Sequence, residues 1–305
     1  MSELSKHSNQ RPTIQTLAQA ITSYLDSLEN EKTLIPTGLK QIDNVIGGLA
    51  QGDLCILAGR PGMGKTAIAL QMALHNADRG VCFVSLEMTP EQLARRSLQR
   101  YVNLPTDQWS DNIPIVVQGA LGLLQMGERV LIGDLGDRKV DRVIQTLSVA
   151  QGRGCELGII DYLQLVQGNG QDRYSQVSHV SEELKQFARH SKMTLLVLAQ
   201  LSRSVENRDR SGVPRMSDLR DSGQIEQDAD QIMLCWRPAA YEPKASEDDL
   251  NIVVPKSRHT STINAPITVH FDRSKQTIFE RESSFYDSST EGYRIPVFDE
   301  FNKDG

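Results

Sequence analysis

The chain has 305 residues, with 33 Lys and Arg against 39 Asp and Glu and a formal net charge of −6, a length that allows one large α/β domain or two small ones at roughly 100–200 residues each. With 39% hydrophobic and 24% charged residues it can bury a core, which excludes a wholly disordered chain. No apolar run nears the ~20 residues of a membrane helix, and mild acidity excludes a protein that coats nucleic acid by bulk charge while leaving room for a local basic site. Residues 1–12 read as a polar, disordered start, without the apolar core of a secretion signal. Residues 13–28 carry Ile14, Leu17, Ala18, Ile21, Leu25 and Leu28 at 3-and-4 spacing, which predicts an amphipathic helix. A charged link, 29–32, sets this helix apart from the rest of the chain.

From residue 52 the pattern alternates. Apolar runs at 53–58, 81–86, 129–133, 157–163, 193–199, 230–235 and 251–255 predict strands, and 65–79, 90–102, 138–151 and 177–191 predict helices. Near-continuous apolar strands separated by helices predict a mainly parallel, twisted sheet covered by helices on both faces. Residues 264–281 read as two short edge strands, antiparallel to the rest, and 282–305 as a polar tail. The stretch 104–128 reads as a helical connector without an assigned role. Cys55, Cys82, Cys155 and Cys235 each lie in an apolar stretch and have no CxxC spacing, so they read as buried thiols rather than as a metal or disulfide framework.

Gly59-Arg60-Pro61-Gly62-Met63-Gly64-Lys65-Thr66 matches GxxxxGK[ST], after a strand and before a helix. Glycines let the backbone curl its N–H groups toward phosphate oxygens, and the helix N-terminus adds positive potential. The pattern assigns Lys65 to the β- and γ-phosphates and Thr66 to Mg²⁺, with Ala67 continuing the site into the helix. Asp161 ends an apolar strand, where a carboxylate can hold the hydration shell of the metal. Glu87 follows another strand; it reads either as the acid that orients the attacking water or as a helix N-terminal acid before Thr89-Pro90-Glu91. Gln200 closes the strand at 193–199, where a neutral polar group can sense a γ-phosphate.

Together the blocks IPTGLKQIDNVIGGLAQGDLCILAGRPGMGKTAIA, FVSLEM, IIDYLQL, LAQLSRSVENR and PRMSDLRDSGQIEQDADQIML, in order over residues 35–236, resemble the C-terminal motor domain of DnaB-type replicative helicases, a RecA-like P-loop fold. The resemblance implies an ATP- and Mg²⁺-dependent DNA helicase acting in replication. It would form a ring, six subunits being the family's expectation, in the cytoplasm of a bacterium or of a phage host. Single-stranded DNA and a primase or loader protein would be its partners. It makes Lys65, Glu87 and Gln200 catalytic, Asp161 the Mg²⁺-linked acid, and Lys256 and Arg258, from Pro255-Lys256-Ser257-Arg258 at the end of the strand at 251–255, a finger pair acting on a neighbour's γ-phosphate. Read without the family, that pair is an exposed basic strand end. The segment 203–220 carries five arginines against three acids. Its Gly, Ser and Pro content predicts a loop. The resemblance assigns Arg203, Arg215, Arg220, Asp221, Ser222 and Gly223 to DNA, the alternative being a solvated charged loop.

Three departures stand out. The family's N-terminal helical domain is absent before the linker helix, which reads as a natural short form. The finger is followed by His259-Thr260-Ser261-Thr262-Ile263-Asn264 where the family has Asn-Gly-Pro-Thr-Gly. Residues 104–128 match the family poorly. The domain division expected is 1–12 disordered, 13–34 linker helix and link, 35–281 motor, and 282–305 tail. The linker helix either docks on an adjacent subunit or folds back on its own domain. A regulatory or clamp ATPase that binds a partner without unwinding is the competing function.

Overall fold

The computed structural model describes residues 16–28, 34–208, 212–219, 223–259 and 261–280. The expectations for 1–12, for 282–305 and for Arg220, Asp221 and Ser222 lie outside the described residues. Eleven strands are present among the described residues: β1 (Leu34–Ile35), β2 (Leu49–Ala50), β3 (Leu54–Gly59), β4 (Val81–Ser85), β5 (Val130–Asp134), β6 (Leu157–Asp161), β7 (Thr194–Gln200), β8 (Gln231–Trp236), β9 (Asp249–Ser257), β10 (Ile263–Asp272) and β11 (Thr277–Phe279). The helices are α1 (Leu17–Leu28), α2 (Lys40–Ile46), α3 (Lys65–His75), α4 (Pro90–Val102), α5 (Ile113–Gly127), α6 (Val140–Gly152), α7 (Arg173–Ser191), α8 (Ser204–Arg208) and α9 (Gly223–Asp228).

The main sheet runs β11-β10-β9-β8-β3-β7-β6-β4-β5. The six strands from β8 to β5 are parallel, and β9, β10 and β11 extend the sheet antiparallel. Burial explains why apolar runs became strands here. Every residue of β3, β4, β6 and β8 is buried, whereas the outer β5 and β10 are largely half-buried or exposed. Side chains covered on both sheet faces need no polar alternation. Each fully buried Leu, Ile or Val side chain contributes roughly 1.5–3 kcal/mol, so the middle strands fix the fold.

The α/β class with a mainly parallel sheet is as expected, and the edge strands read at 264–281 are β10 and β11. The four cysteines are buried and free. Two boundaries are corrected. The strand read at 251–255 extends through Ser257, so Lys256 lies within β9 rather than beyond it. The segment read as a loop after residue 202 contains α8 and a 3-10 turn at Met216–Asp218. Ser204, at its start, lies just past the strand end, and Val205, which is buried, fastens it to the core. Residues 104–128 do hold a helix, α5, although none of its residues is buried. It packs on α4 through glycines: a methyl at Gly119 would lie 2.1 Å from Val102, and one at Gly122 would lie 2.6 Å from the Tyr101 hydroxyl. Among the described residues no helix is long and apolar enough to cross a membrane.

Candidate nucleotide site

Parallel strands in an open α/β sheet bring their carboxyl ends to one rim, where ligands bind. Here Gly59 of β3 is in register with Gln200 of β7, and Ser85 of β4 with Asp161 of β6. The rim therefore gathers the phosphate loop, Gln200, Asp161 and, two residues past β4, the exposed Glu87. The four are far apart in the chain, and each is expected there on separate grounds; the register is what unites them.

The loop from Gly59 to Gly64 curls as its glycines allow. Gly62 and Gly64 have φ of 77° and 94°, a region that side chains disfavour. Gly59 is required for a different reason. A methyl there would lie 2.7 Å from the Cys235 carbonyl oxygen of β8, so only glycine lets the loop leave the sheet at this point. Lys65 opens α3, and its Nζ donates to the Gly59 and Arg60 carbonyls at 3.0 and 3.2 Å. Burial pushes the Lys65 ammonium below its ordinary value, and the neighbouring Cys235, Asp161 and Glu87 counter that. Arg60, Pro61, Met63 and Ala67 complete the loop and the first turn; Met63 and Ala67 are buried beneath it.

The Thr66 hydroxyl donates to Asp161 Oδ2 at 2.8 Å. Asp161 is 2% exposed. Burial pushes its carboxyl above the usual range, the Thr66 hydrogen bond pulls it down, Glu87 raises it again, and Lys65 and Arg96 favour the anion. A hydroxyl and a carboxylate side by side beneath a phosphate loop are the hard oxygen donors that suit Mg²⁺, an ion that takes few protein ligands and keeps several waters. The residues present thus fit that metal.

Gln200 is held by a residue that the motif reading does not single out. Its backbone N–H donates to Gln164 Oε1 at 2.9 Å, and Gln164 Nε2 donates back to its carbonyl at 3.1 Å. Arg173 in turn donates to the Gln164 carbonyl. The signal is present, because Gln164 stands inside the IIDYLQL block; what sequence does not give is its two-point grip.

Lys256 and Arg258 are not at this rim. Lys256 Nζ donates to the carbonyls of Glu226 and Gln227, and Arg258 Nη2 to that of Gln227 at 2.9 Å. Both cations thus cap the C-terminal end of α9, where carbonyls lack partners within the helix. Arg258 also approaches Asp230 at 3.4 Å. Asp230 is buried, accepts from the Leu54 backbone N–H at 2.8 Å and pairs with Lys185. This anchor ties the finger to the start of β3. Gly59 lies five residues along that strand, about 17 Å away at ~3.3 Å per residue. That is further than one arginine side chain extends. Arg203 and Arg215 are exposed at the two ends of the segment after β7, and Gly223 is exposed at the start of α9.

A family model for the DnaB-like helicase C-terminal domain matches residues 35–280. The chain belongs to the DnaB-like helicase C-terminal domain family. The match covers the sheet and every rim residue described above. Replicative DNA helicase DnaB of Helicobacter pylori is 38% identical over 235 residues, covering 72% of this chain and 47% of its own length. The chain spans about half the length of the curated relatives it matches. Among solved structures, a phosphate-loop relative described as an ATPase domain superposes with a TM-score of 0.80 at 24% identity, over 88% of this chain and all of that one. A DnaB-like replicative helicase, solved to describe its interactions with primase, superposes with a TM-score of 0.77 at 25% identity, over 88% of this chain and 68% of that one. These neighbours bear out the RecA-like fold expected of a DnaB-like domain.

Proposed function

We infer that this chain is the motor of a ring-forming DNA helicase that hydrolyses ATP at its subunit interfaces and moves on single-stranded DNA in replication. The observation that carries the reading is the separation of Arg258 from its own phosphate loop. A finger at one end of the sheet and a phosphate cradle at the other become one site when copies pack head to tail, and a head-to-tail interface that closes makes a ring. Six copies is the expected number, in a bacterial cytoplasm, with a primase or loader as protein partner.

The residues divide the work. The loop's backbone N–H groups, the α3 N-terminus and Lys65 hold the β- and γ-phosphates and stabilise charge there. Thr66, with Asp161 acting through water, would hold Mg²⁺, which supplies charge neutralisation on the phosphates. Glu87 orients the attacking water and accepts its proton. Gln200 senses the γ-phosphate. Arg258, with Lys256 beside it, completes the neighbour's transition state. Arg203, Arg215 and Arg220, with the backbone at Asp221, Ser222 and Gly223, grip the DNA phosphates without reading sequence.

The direct test is ATP hydrolysis with and without single-stranded DNA at two salt concentrations. The expected result is stimulation of roughly tenfold or more that weakens as salt rises, because phosphate contacts release counterions. Hydrolysis indifferent to DNA would overturn the motor reading in favour of a clamp ATPase.

A second expectation concerns α1. Its Leu17, Ile21 and Leu25 are 77%, 51% and 55% exposed, an apolar stripe that its own domain leaves uncovered. We assign this stripe to the adjacent subunit, with α5 as the receiving face, because Ile113, Val117, Leu121 and Leu124 are exposed along it. Deleting residues 1–30 should convert the ring to monomers in sedimentation velocity. A ring that survives the deletion would refute the docking.

A further inference from the structure

The phosphate loop is tied to the DNA-facing segment by a side chain that the nucleotide chemistry leaves unused. That side chain is Arg60. Its guanidinium is 11% exposed. It donates through Nη1 to the Leu201 carbonyl at 2.9 Å and through Nε to Glu206 Oε1 at 2.7 Å. Leu201 follows the sensor Gln200, and Glu206 lies in α8, at the start of the segment that carries Arg203 and Arg215.

This segment is closed at its base and propped from behind. Leu201 bridges Leu219, and the Ser202 N–H donates to the Asp218 carbonyl at 2.8 Å. The Arg215 N–H donates to Asp218 Oδ2 at 2.7 Å. Gly212 packs so closely on Tyr241 that a methyl there would lie 2.1 Å from its ring. Tyr241 is near enough to both members of the ion pair for Glu206 to raise its phenol and Arg60 to lower it, burial being the larger effect. Arg60 therefore holds three things at once: the loop it belongs to, the exit of β7, and α8.

We propose that the Arg60–Glu206 pair is a coupling link that carries the state of the phosphate loop to the DNA-gripping segment, with Glu206 a positioning residue for that segment. The proposal rests on the helicase reading. It adds a second route to the sensor Gln200, which acts through the end of β7. Lys65 Nζ donates to the Arg60 carbonyl, so the lysine that engages phosphate is bonded to the residue whose side chain grips α8. Guanidinium is a planar, rigid fork, and two bonds from one fork move their acceptors together. Charge-assisted bonds from a largely covered arginine are also less screened than those of an open surface pair.

A coupling link has a signature that a purely structural contact lacks. Coupling free energy is reciprocal: nucleotide changes DNA affinity by the same factor as DNA changes nucleotide affinity. The experiment uses the full chain with Glu206→Gln, a fluorescent oligothymidine, and ATP hydrolysis with and without that DNA. DNA affinity is measured with and without a non-hydrolysable ATP analogue. Hydrolysis without DNA is expected to stay within about twofold of the parent, while the nucleotide-dependent ratio of DNA affinities and the DNA stimulation each fall about tenfold. Glu206→Asp, which keeps the charge, is expected to recover part of both. Combining Glu206→Gln with Arg60→Lys is expected to lower the affinity ratio no further than Glu206→Gln alone.

Unchanged ratios in Glu206→Gln would overturn the proposal. So would an equal loss of DNA affinity in both nucleotide states, which would make Glu206 a shaper of the DNA surface and nothing more. A parent chain that does not respond to DNA at all would overturn the helicase reading, and with it the link; that outcome is read in the parent and is distinct from either failure of the variant.

Discussion

Lys65→Ala will lower DNA-stimulated ATP hydrolysis by roughly 10²–10³-fold or more, the range seen when a preorganised charge-stabilising donor is lost. Lys65 brings a full positive charge to the rim on the first residue of α3, where the helix N-terminus already favours anions. Its ammonium is held between the carbonyls of Gly59 and Arg60, so it is positioned before phosphate arrives. Burial works against the charge, but Asp161 and Glu87 hold it in place. Alanine removes the cation and leaves two carbonyls and two carboxylates around incoming phosphate. Nucleotide affinity should fall as well, because the charge acts on bound ATP and on the transition state alike. The check is steady-state hydrolysis beside equilibrium binding of a fluorescent ATP analogue. The same comparison for Asp161→Asn should show a smaller loss in binding than in turnover. Lys65→Ala with full turnover would remove the phosphate loop from the chemistry.

Much of this site is legible without the fold, and the reasons are physical. The phosphate loop is local: its glycines, lysine and threonine are contiguous, so their spacing is their geometry. The central strands are legible because burial on both faces leaves a continuous apolar run, as in Leu54 to Gly59 and Leu195 to Ala199. Helix α4 is legible to the residue because Thr89 caps it, Gln92 closes a capping box and Pro90 starts it. Strand order is not legible. Leu54 pairs with Leu195, far along the chain, and runs buried on both faces offer no alternation by which to choose a partner. Helix α2 escapes the sequence because seven residues with two buried isoleucines give too short a period to read. Helix α9 escapes for the same reason, and with it the carbonyls that receive Lys256 and Arg258. Asp230 looks like one more surface acid; only the fold shows it buried between Leu54, Lys185 and Arg258. The Arg60–Glu206 contact spans 146 positions, and no spacing rule connects them.

Two inactive variants of this chain should restore each other when mixed. Arg258→Ala alone is expected to lower hydrolysis by about 10³–10⁵-fold, the range for an arginine finger, while nucleotide binding stays near the parent value. The Arg258 guanidinium is half exposed, and its contacts are with Asp230 and the Gln227 carbonyl at the end of β3 remote from the phosphate loop. Losing it should therefore leave the cradle intact. Its contribution to the fold is small: Asp230 keeps the Leu54 N–H and Lys185, and Lys256 still caps α9. A melting temperature within a few degrees of the parent would confirm that the variant is folded. If the finger serves a neighbour, an Arg258→Ala subunit has a sound phosphate loop but gives no finger, and a Lys65→Ala subunit has the reverse. In rings reassembled from equal amounts, about a quarter of head-to-tail interfaces then pair a sound loop with a sound finger. Hydrolysis should return to the order of that fraction if interfaces act independently, and to less if they must fire in turn. The control carries both substitutions on one subunit and is mixed with the parent. Activity should then fall in proportion to dilution or faster, with no gain. A finger that acted within its own chain would give no recovery at any mixing ratio, because each subunit would still lack one of the two groups. Recovery places the reaction between copies and makes hydrolysis conditional on assembly, since a lone chain holds both halves of the site at opposite ends of one sheet.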